Sequence, residues 1–592
     1  MLVQALAEYA DRVLGDQLAD EAWEEKPVPY LIEIGDTGDF LNITPRLVPA
    51  VRGKKTVSVP SPLRVPRSPV PRNAGLHPLL AADDIKYVLG PGAWTTKGQE
   101  ENNRERHHAF ADLIRAAAAA TKDEALEACA QFYNRPDQVE LARIALQDVK
   151  PGAIVALSLG GPVVNRAAVR SYWRTHYDSA SGMRIAKAGS GQCLISGRIG
   201  PIAPTHEKIK GLGLGGQAAG VSLMSFDKEA FQSYGWEQNA NSPVAPNRAL
   251  AYVLALNYLL RRDNGHRRDV AGVAFVFWTR EASEFDPMAT IDQADEAQVD
   301  ALLRLDPRVN LDPNQFYMAG FSANGARMLI RYWVSNSLGH IKANLKEWFA
   351  GQQIIDVYSA AIAPPPKLWQ LLAALDREGE PPKDRTLALL RRAIEGPAQP
   401  LGYHILAAAL ARLRVSKENR LEPHRIGLIR LCLNDQLRMK GESLMPEVLD
   451  LQERHEAYLC GRLLAVYETI QYNAAGETKV NQTVADRYYS LASTRPALAF
   501  PKMDDLGKKH LRKLRRDKRG AMIRLEQELQ DILGQIERAA GYRFPASLDV
   551  DGQGRFVLGY HHQRAEHVAA AKAHKHQHAQ SLNSATVSQE EE

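Results

Sequence analysis

The chain has 592 residues, which corresponds to about three or four domains of ordinary size and allows a substantial buried core. Apolar residues make up 45% and charged residues 24%, which excludes a collagen-like, wholly disordered or disulfide-rich chain. The formal net charge is only +5, so the total gives no indication of a nucleic-acid partner.

Cysteine content and the N-terminus bear on the compartment. Four cysteines (Cys129, Cys193, Cys432 and Cys460) are too sparse for a disulfide framework and too scattered for a zinc site, so we expect buried free thiols. The N-terminus is amphipathic without a basic leader, and no apolar run of about 18 residues occurs. We therefore expect neither a signal peptide nor a membrane span, and a reducing cytoplasm.

Charge changes sign early in the chain. Residues 1–40 hold ten Asp and Glu, whereas residues 51–82 hold six Lys and Arg, no acidic residue and six prolines. Because proline fixes φ and removes a donor, residues 51–82 should be extended chain or loop. A stiff basic loop suits a polyanion backbone, and an exposed loop that only solubilises is the alternative.

The first two-thirds of the chain shows mixed helix and strand patterns. Helical patterns are predicted at 105–147, 249–260 and 326–338. Strands are predicted at 154–160, 192–199, 221–226, 270–279 and 316–321, with 270–279 a central strand buried on both faces.

Prolines at 364–366 and 381–382 mark a boundary, after which helical patterns dominate at 403–414, 425–437, 457–471 and near 505–539. The fold class predicted is α+β. A mixed α/β N-terminal domain (1–360) is followed by a linker (361–400) and an all-α helical bundle (401–545) resembling a small subunit. The polar, His-rich segment 546–592 is predicted to be a disordered tail.

A glycine loop at 208–220 contains a formal G-x-G-x-x-G at Gly211, Gly213 and Gly216. A dinucleotide site needs this motif after a strand and at the start of a helix, but Lys208 and Lys210 precede it and a strand-like segment follows. We favour a basic glycine loop that approaches phosphates over a nucleotide-cofactor site. A flexible loop between strands is the other alternative.

Catalytic motifs are weak. The segment GFSANG (320–325) has Asn324 where a nucleophile elbow needs glycine, so Asn324 is interpreted as a turn or helix-capping residue and Ser322 as structural. The doublets His107–His108 and His561–His562 lack partners at metal-ligand spacing. We expect no catalytic residue, metal or cofactor. A stand-alone hydrolase or nuclease using Ser322 or a histidine pair is the alternative.

The strongest positive signal is a basic run. Residues 502–519 hold nine Lys and Arg against three Asp at the head of a helical segment. Such runs are usually solvated helix faces, but this density favours a surface that faces a polyanion.

Several long blocks resemble a known family. They are KIKGLGLGGQAAGVSLMSFDKEAFQSYGWEQNANSPVA (208–245), FYMAGFSANGARMLIRYW (316–333), YLCGRLLAVYETIQ (458–471) and VADRYYSLASTRPALAFPKM (484–503). In sequence, order and spacing they resemble the large subunit of type I-C CRISPR surveillance complexes (Cascade). The resemblance extends from the N-terminus to about residue 540.

This resemblance implies a non-catalytic DNA-recognition subunit in antiviral defence, in a prokaryotic cytoplasm. It would recognise the protospacer-adjacent motif, promote duplex opening and R-loop formation, contact the displaced non-target strand and help recruit the helicase–nuclease. The implied partners are CRISPR RNA-bound backbone subunits, double-stranded target DNA and a small subunit. That small subunit is made in the family from an internal start, for which Met439, Met445 and Met503 are candidates.

The predicted DNA contacts follow from combining the basic segments with this resemblance. Arg72 and Asn73 would approach base edges, and four cations before them would hold phosphates: Lys54, Lys55, Arg64 and Arg67. The glycine loop would approach DNA through Lys208, Lys210, Gly213 and Gly215. The basic run would track the displaced strand through Lys508, Lys509, Arg512, Lys513, Arg515 and Arg516. A generic DNA-binding regulator is a third hypothesis, but no helix-turn-helix signal supports it.

Overall fold

The computed structural model describes residues 2–52, 55–70, 72, 75–217, 219–270, 272–306, 312–376, 383–415, 421–476, 480–540 and 544–590. Two compact units result: Met1–Arg267 with Phe321–Ile330, and Arg268–Gly320 with Arg331–Glu592. Strands concentrate in the first half and the last third is helical, so the predicted α+β class is confirmed.

The first unit contains eight helices and ten strands among its described residues. The helices are α1 Leu2–Val13, α2 Gly15–Ala19, α3 Ile85–Val88, α4 Glu100–Thr121, α5 Glu124–Tyr133, α6 Pro136–Ala145, α7 Ala167–Ala188 and α8 Pro246–Leu259. The strands are β1 Trp23–Pro27, β2 Tyr30–Ile34, β3 Phe40–Pro45, β4 Leu47–Arg52, β5 Lys55–Pro60, β6 Pro62–Pro66, β7 Ala82–Asp84, β8 Ile154–Ser158, β9 Ser190–Gln192 and β10 Ile199–Pro201.

A four-stranded sheet of order β3-β2-β8-β7 forms the centre of this unit. Strand β2 pairs in parallel with β8, while β3 and β7 pair antiparallel at the two edges. The long connection between β2 and β8 contains α3 to α6, as a parallel pair requires. Ile32 and Leu157 of the central strands are buried in one core with Phe110, Phe132 and Trp173.

The proline-rich basic segment is extended, as predicted. Strands β4 and β5 form an antiparallel pair from Leu47↔Pro60 to Arg52↔Lys55, and β6 pairs with β1. Pro60, Pro62 and Pro66 stand at strand ends, where a missing N–H removes little from the ladder. A hairpin thus carries Lys55, one of the residues of the predicted interface.

The second unit holds the remaining elements. Its strands are β11 Arg267–Val270, β12 Val273–Thr279, β13 Gln315–Asn324 and β14 Arg327–Ser337, although Arg267 and the end of the β13–β14 hairpin, Phe321–Ile330, belong to the first unit. Its helices are α9 Pro287–Gln293, α10 Glu296–Arg304, α11 Leu338–Gln352, α12 Leu368–Leu375, α13 Lys383–Glu395, α14 Tyr403–Val415, α15 Pro423–Lys440, α16 Glu456–Ala475, α17 Val484–Ala492, α18 Pro496–Asp517, α19 Arg519–Ala540 and α20 Val550–Glu590.

Residues 326–338 were predicted to be helical, and that prediction is wrong. They form β14, next to β13 in a sheet of order β11-β12-β13-β14. Asn324–Gly325 between two apolar runs is a strong hairpin signal, and Gly325 has φ +60°. The residues that follow are rich in β-branched and aromatic side chains, which favour strands. Strand β12 is interior and buried along most of its length, as predicted.

Two shorter strand predictions also fail. Residues 192–199 turn between the short strands β9 and β10, which pair antiparallel. Residues 221–226 form only isolated bridges, at Val221 and Ser222. Both segments contain Gly or Ser among their apolar residues, which weakens the alternation that a strand needs.

The predicted helical character of the last third is confirmed, but one predicted helix is divided into two. The segment predicted near 505–539 forms two helices, α18 and α19, which separate at Lys518. The apolar face of α19 is buried as its spacing indicated, through Met522, Leu525, Leu529, Ile532 and Ile536. The predicted linker 361–400 instead contains α12 and α13, and Leu371 and Leu389 are buried in the same core as the bundle.

Segment 546–592 was predicted to be a disordered tail, but it contains α20, whose first half is buried. Phe556 and Leu558 belong to the core, and three polar residues of this half find partners in the bundle. His562 bonds the Tyr458 hydroxyl, Gln563 bonds Arg462 and His567 bonds Thr469. Their polarity resembled that of a solvated tail because these partners lie about 100 residues away in sequence.

Helices α16 and α20 pack with their backbones in close contact at two glycines. A Cβ on Gly461 would overlap the carbonyl oxygen of Phe556, and a Cβ on Gly559 would overlap that of Tyr458. We therefore expect Gly461→Ala to force the helices apart and to lower the free energy of unfolding by roughly 1–3 kcal/mol.

Gly520→Ala is the matched control, because nothing lies within 4 Å of a Cβ there and alanine favours a helix. Urea unfolding followed by circular dichroism measures both variants. Equal stability of the two would contradict the close packing of α16 on α20.

Candidate nucleic-acid interface

Three of the predicted DNA contacts have no described side chain. Lys54 and Asn73 lie outside the described residues, and Lys55 belongs to β5 without a described side chain. Their assignment as DNA contacts therefore stays a prediction.

Two of the predicted phosphate contacts are engaged in ion pairs. Arg64 of β6 bonds Asp20 at 2.8 Å and is partly exposed. Arg67 is buried, and its guanidinium donates to Glu207 at 3.0 Å and to the carbonyl of Trp23 at 3.5 Å. Burial alone would lower the pKa of Arg67, but two neighbouring glutamates outweigh it and raise that pKa. Arg67 therefore stays charged within the fold.

Arg72 is held by a fully buried carboxylate. Its two terminal nitrogens donate to Asp83 at 2.7 and 2.9 Å, and its guanidinium lies 4.4 Å from the centre of the Tyr87 ring. Burial raises the pKa of Asp83, while Arg72 and two backbone N–H groups oppose that rise. In this geometry Arg72 anchors the chain immediately before Asn73 instead of extending toward a base.

Another arginine, Arg267, holds the backbone of the glycine loop. Arg267 donates to the carbonyl of Gly211 at 2.7 Å and to that of Leu212 at 2.8 Å. Gly213 and Gly215 have φ of +64° and +84°, and the backbone there is exposed. The turn needs glycine at both positions, and a ligand can approach its backbone closely. Among the described residues, no α-helix begins between this loop and α8, so the dinucleotide-binding motif lacks its structural context.

A cavity of about 500 Å³ in the first unit brings part of the predicted interface together. Its lining includes four predicted cations: Arg67, Arg72, Lys208 and Lys210. It also includes acidic residues from the N-terminal segment and from the glycine loop region: Glu21, Glu24, Glu207 and Asp227. Burial raises the pKa of Glu21, whereas Glu24 bonds Lys26 at 2.7 Å. Charges of both signs therefore line the cavity.

Helix α18 presents a basic ridge, by which we mean Lys508, Lys509, Arg512, Lys513, Arg515 and Arg516. All six are exposed, while Met503, Leu511 and Leu514 bury the other face of the helix. The i, i+3 and i+4 spacing places the cations in adjacent rows along the exposed side. Lys508 bonds Asp504 at 2.6 Å, which raises the pKa of Lys508.

Sequence reasoning missed an aromatic loop at 226–242 in the first unit. Tyr234 is 94% exposed and Trp236 and Phe231 are also exposed. The guanidinium of Arg327 lies 3.7 Å from the centre of the Phe231 ring. The segment FQSYGW, with aromatic residues among Gly and polar residues, was the available signal. Such aromatic–cation surfaces suit the stacking of unpaired bases.

The residues of the hydrolase alternative take structural positions. Ser322 lies in strand β13 and is buried, so it is not on a strand-to-helix turn. His107 bonds the carbonyl of Val88 at 3.0 Å, and burial lowers its pKa to about 4. His561 bonds the carbonyl of Ile355 at 2.7 Å.

The described residues contain neither a metal-binding cluster nor a helix that could span a membrane. In the described parts of the chain, no group of three or more His, Cys, Asp and Glu is placed to hold a metal ion. None of the described helices combines the length and apolar character needed to cross a bilayer. All four cysteines are buried and free, as predicted.

Comparison with known proteins decides the family. The family model described as CRISPR-associated protein (Cas_Csd1) matches residues 6–568, which is nearly the whole chain. The chain belongs to the Cas_Csd1 family. This is the family of type I-C large subunits, so the resemblance stated from the sequence is confirmed. No curated protein matches the chain. The match includes α20 up to residue 568, beyond the part in which the resemblance was clear.

The Arg72–Asp83 pair of this Cas_Csd1 chain generates a stability prediction. Arg72→Ala leaves a buried carboxylate without its counter-ion. We therefore expect the free energy of unfolding to fall by roughly 3–5 kcal/mol at neutral pH. The pKa of Asp83 in the folded variant lies above its unfolded value. The loss should therefore shrink as the pH falls through the raised pKa of Asp83 toward the unfolded value of about 4, below which both states become protonated.

Denaturant unfolding between neutral pH and about 4.5 measures this trend. Arg64→Ala is the control, because its partly exposed pair should contribute about 1 kcal/mol or less. The same small loss for both variants at every pH would contradict the anchoring role of Arg72.

Proposed function

We propose that this Cas_Csd1 chain is a non-catalytic DNA-recognition subunit of a CRISPR RNA-guided surveillance complex. The observation that carries the proposal is the basic ridge, where six cations face solvent along one helix that is anchored by its apolar side. Membership of a CRISPR-associated family gives the context for that surface. A one-signed exposed row of this kind neutralises phosphates without reading sequence.

The basic ridge is suited to binding the displaced non-target DNA strand. R-loop formation exchanges one duplex for another of similar stability, so contacts to the strand left unpaired can tip the balance. Single-stranded DNA is flexible enough to follow a row of cations, and its binding depends strongly on salt. The ridge thus favours the open state by holding the product of strand separation.

Recognition of the protospacer-adjacent motif falls to the first unit in this proposal. The hairpin of β4 and β5 contains the basic residues Arg52 and Lys55 in its strands, and Arg72, immediately before Asn73, is fixed by its pair with Asp83. Fixing the neighbouring backbone lowers the entropy lost when Asn73 meets a base edge. Lys208, Lys210, Gly213 and Gly215 would meet the phosphates nearby. Arg72 acts here by positioning.

The partners in this proposal are CRISPR RNA-bound backbone subunits, a small subunit, target DNA and a helicase–nuclease that performs the cleavage. The absence of an enzymatic role is part of the proposal. Its support is that Ser322 and His561 are buried and His107 is half-buried, each in a structural position.

Neutralising the ridge tests the main claim. We expect the assembled complex carrying Lys509→Gln, Arg512→Gln, Lys513→Gln and Arg516→Gln to bind target DNA with a flatter salt dependence. Each single-strand phosphate contact contributes about 0.7 to the slope of log K against log salt, so four lost contacts lower it by roughly three. Filter binding over a range of salt concentrations gives the slope.

The matched control removes the same charge from four exposed cations on separate parts of the chain: Lys97, Lys150, Arg304 and Arg487. A slope that falls equally in both quadruple variants would show a general charge effect and would contradict a specific ridge. Retention of the slope by the control alone supports the ridge.

The hydrolase alternative is tested on the purified chain. We expect no cleavage of duplex or single-stranded DNA, or of an ester, with or without Mg²⁺. Turnover that persists through purification and disappears in Ser322→Ala would favour the alternative. His561→Gln and His107→Gln test the histidine pairs in the same assay.

A further inference from the structure

The cavity in the first unit has features that phosphate contacts alone do not explain. Its volume of about 500 Å³ lies within the range of small-ligand sites, roughly 300–1,000 Å³. Part of the wall is apolar, through Val70, Leu79, Met224, Phe226 and Leu250. A surface that only positions a DNA backbone has no need for an apolar recess.

Three residues that line the cavity each carry a buried side-chain nitrogen without a hydrogen-bond partner among the described residues. These nitrogens are Nε of Arg67, Nε2 of His206 and Nδ2 of Asn239. Asn239 is only 1% exposed. Buried polar atoms are nearly always paired in folded proteins, so three unpartnered nitrogens beside one cavity point to a ligand.

Each of these groups is held in place by its other contacts. Arg67 is paired with Glu207, and Nδ1 of His206 bonds the hydroxyl of Tyr252 at 2.8 Å. The backbone N–H of Asn239 donates to the carbonyl of Pro204 at 3.2 Å. Burial lowers the pKa of His206 to about 4, so its ring is neutral at physiological pH. Polar groups whose neighbours already hold them beside an apolar wall lower the cost of ordering a ligand.

The charges around the cavity set a second requirement for the ligand. Glu207 and Glu24 are bonded to Arg67 and Lys26, so their charges are offset within the wall. Lys208 is half-buried and Lys210 is exposed, and both line the cavity. A ligand with a planar apolar body, acceptor atoms on its edge and an attached anion would satisfy all three features.

We propose that this cavity binds a single nucleotide, with the base against the apolar wall and the phosphate at Lys208 and Lys210. The acceptor atoms of the base edge would take the N–H groups of Asn239 and Arg67. The nucleotide has two sources, a free nucleotide or one nucleotide extruded from bound DNA, and the second rests on the proposed function. Extrusion costs a few kcal/mol of unstacking, which a fitted pocket offsets.

The first experimental arm tests the DNA source. The assembled complex is mixed with target duplexes that carry 2-aminopurine at successive positions of the adjacent motif, which stays outside the guide-paired region. Extrusion of one base gives a rise in fluorescence at that position alone. Asn239→Leu should reduce the rise by roughly tenfold, because it removes the donor and narrows the site. Lys208→Gln with Lys210→Gln, two changes nearer the surface, should weaken it as well.

Asn103→Leu is the matched control. Asn103 is a buried asparagine of the same unit that bonds Thr95 and Arg106 and does not line the cavity. It reproduces any general loss of stability and should leave the fluorescence rise unchanged.

The second arm tests the free source by titrating the purified chain with the four nucleoside monophosphates in a calorimeter. Saturable binding that Asn239→Leu weakens by about tenfold, without a 2-aminopurine signal, supports the nucleotide site and assigns it to free nucleotides. Absence of both signals, or equal effects of Asn239→Leu and Asn103→Leu, overturns the inference. Because the complex's salt-dependent capture of DNA is measured separately, that result leaves the proposed function standing.

Discussion

The pairing of buried guanidinium groups with carboxylates determines which cations of this chain can bind a ligand. Arg72 with Asp83 and Arg392 with Asp435 are bidentate pairs in which the carboxylate is almost fully buried. A charge removed from water must be compensated, and a guanidinium so compensated has little to offer to a phosphate. The chain's basic residues therefore divide into those that hold the fold and those that remain in solvent.

This division explains why a net charge of +5 was uninformative. The acidic N-terminal segment supplies Asp20 to Arg64 and Glu24 to Lys26, so part of the positive charge is neutralised within the first unit. The basic ridge of α18 has no comparable burial, and its cations keep their exposure. A subunit that binds a polyanion at one surface while most of its charges are paired would show the same small total.

Local elements could be predicted from the sequence where one pattern dominated. The interior strand β12 and the helices of the last third followed their apolar periodicity, and the proline-rich segment was extended as proline requires. Strand β14 was missed because its apolar content was weighed above the Asn324–Gly325 turn. Helix α20 was missed because its buried polar residues, such as His562 and Gln563, looked solvated without their partners on α16.

The site was less predictable than the fold for the same reason. The predicted cation Arg67 pairs with a residue 140 positions away, and the cavity gathers Glu21, Tyr177, His206 and Asn239 from four separate segments. No spacing rule connects such residues. The density of basic residues along the sequence therefore predicted the surface of α18 but could not predict the cavity. The basic ridge was found because all its members lie on one helix.

The packing of α16 on α20 also bears on a small subunit made from an internal start, should this chain have one. A start at Met503 would omit α16, whose residues form the centre of the bundle core and face α20 through Gly461. A start at Met445 keeps α16 to α20 together but omits α15, which supplies Leu433 to the same core. A start at Met439, in the last turn of α15, would also omit almost all of that helix. A product that folds alone therefore requires α16, which favours the two earlier methionines over Met503, and it must tolerate the surface that α15 leaves uncovered.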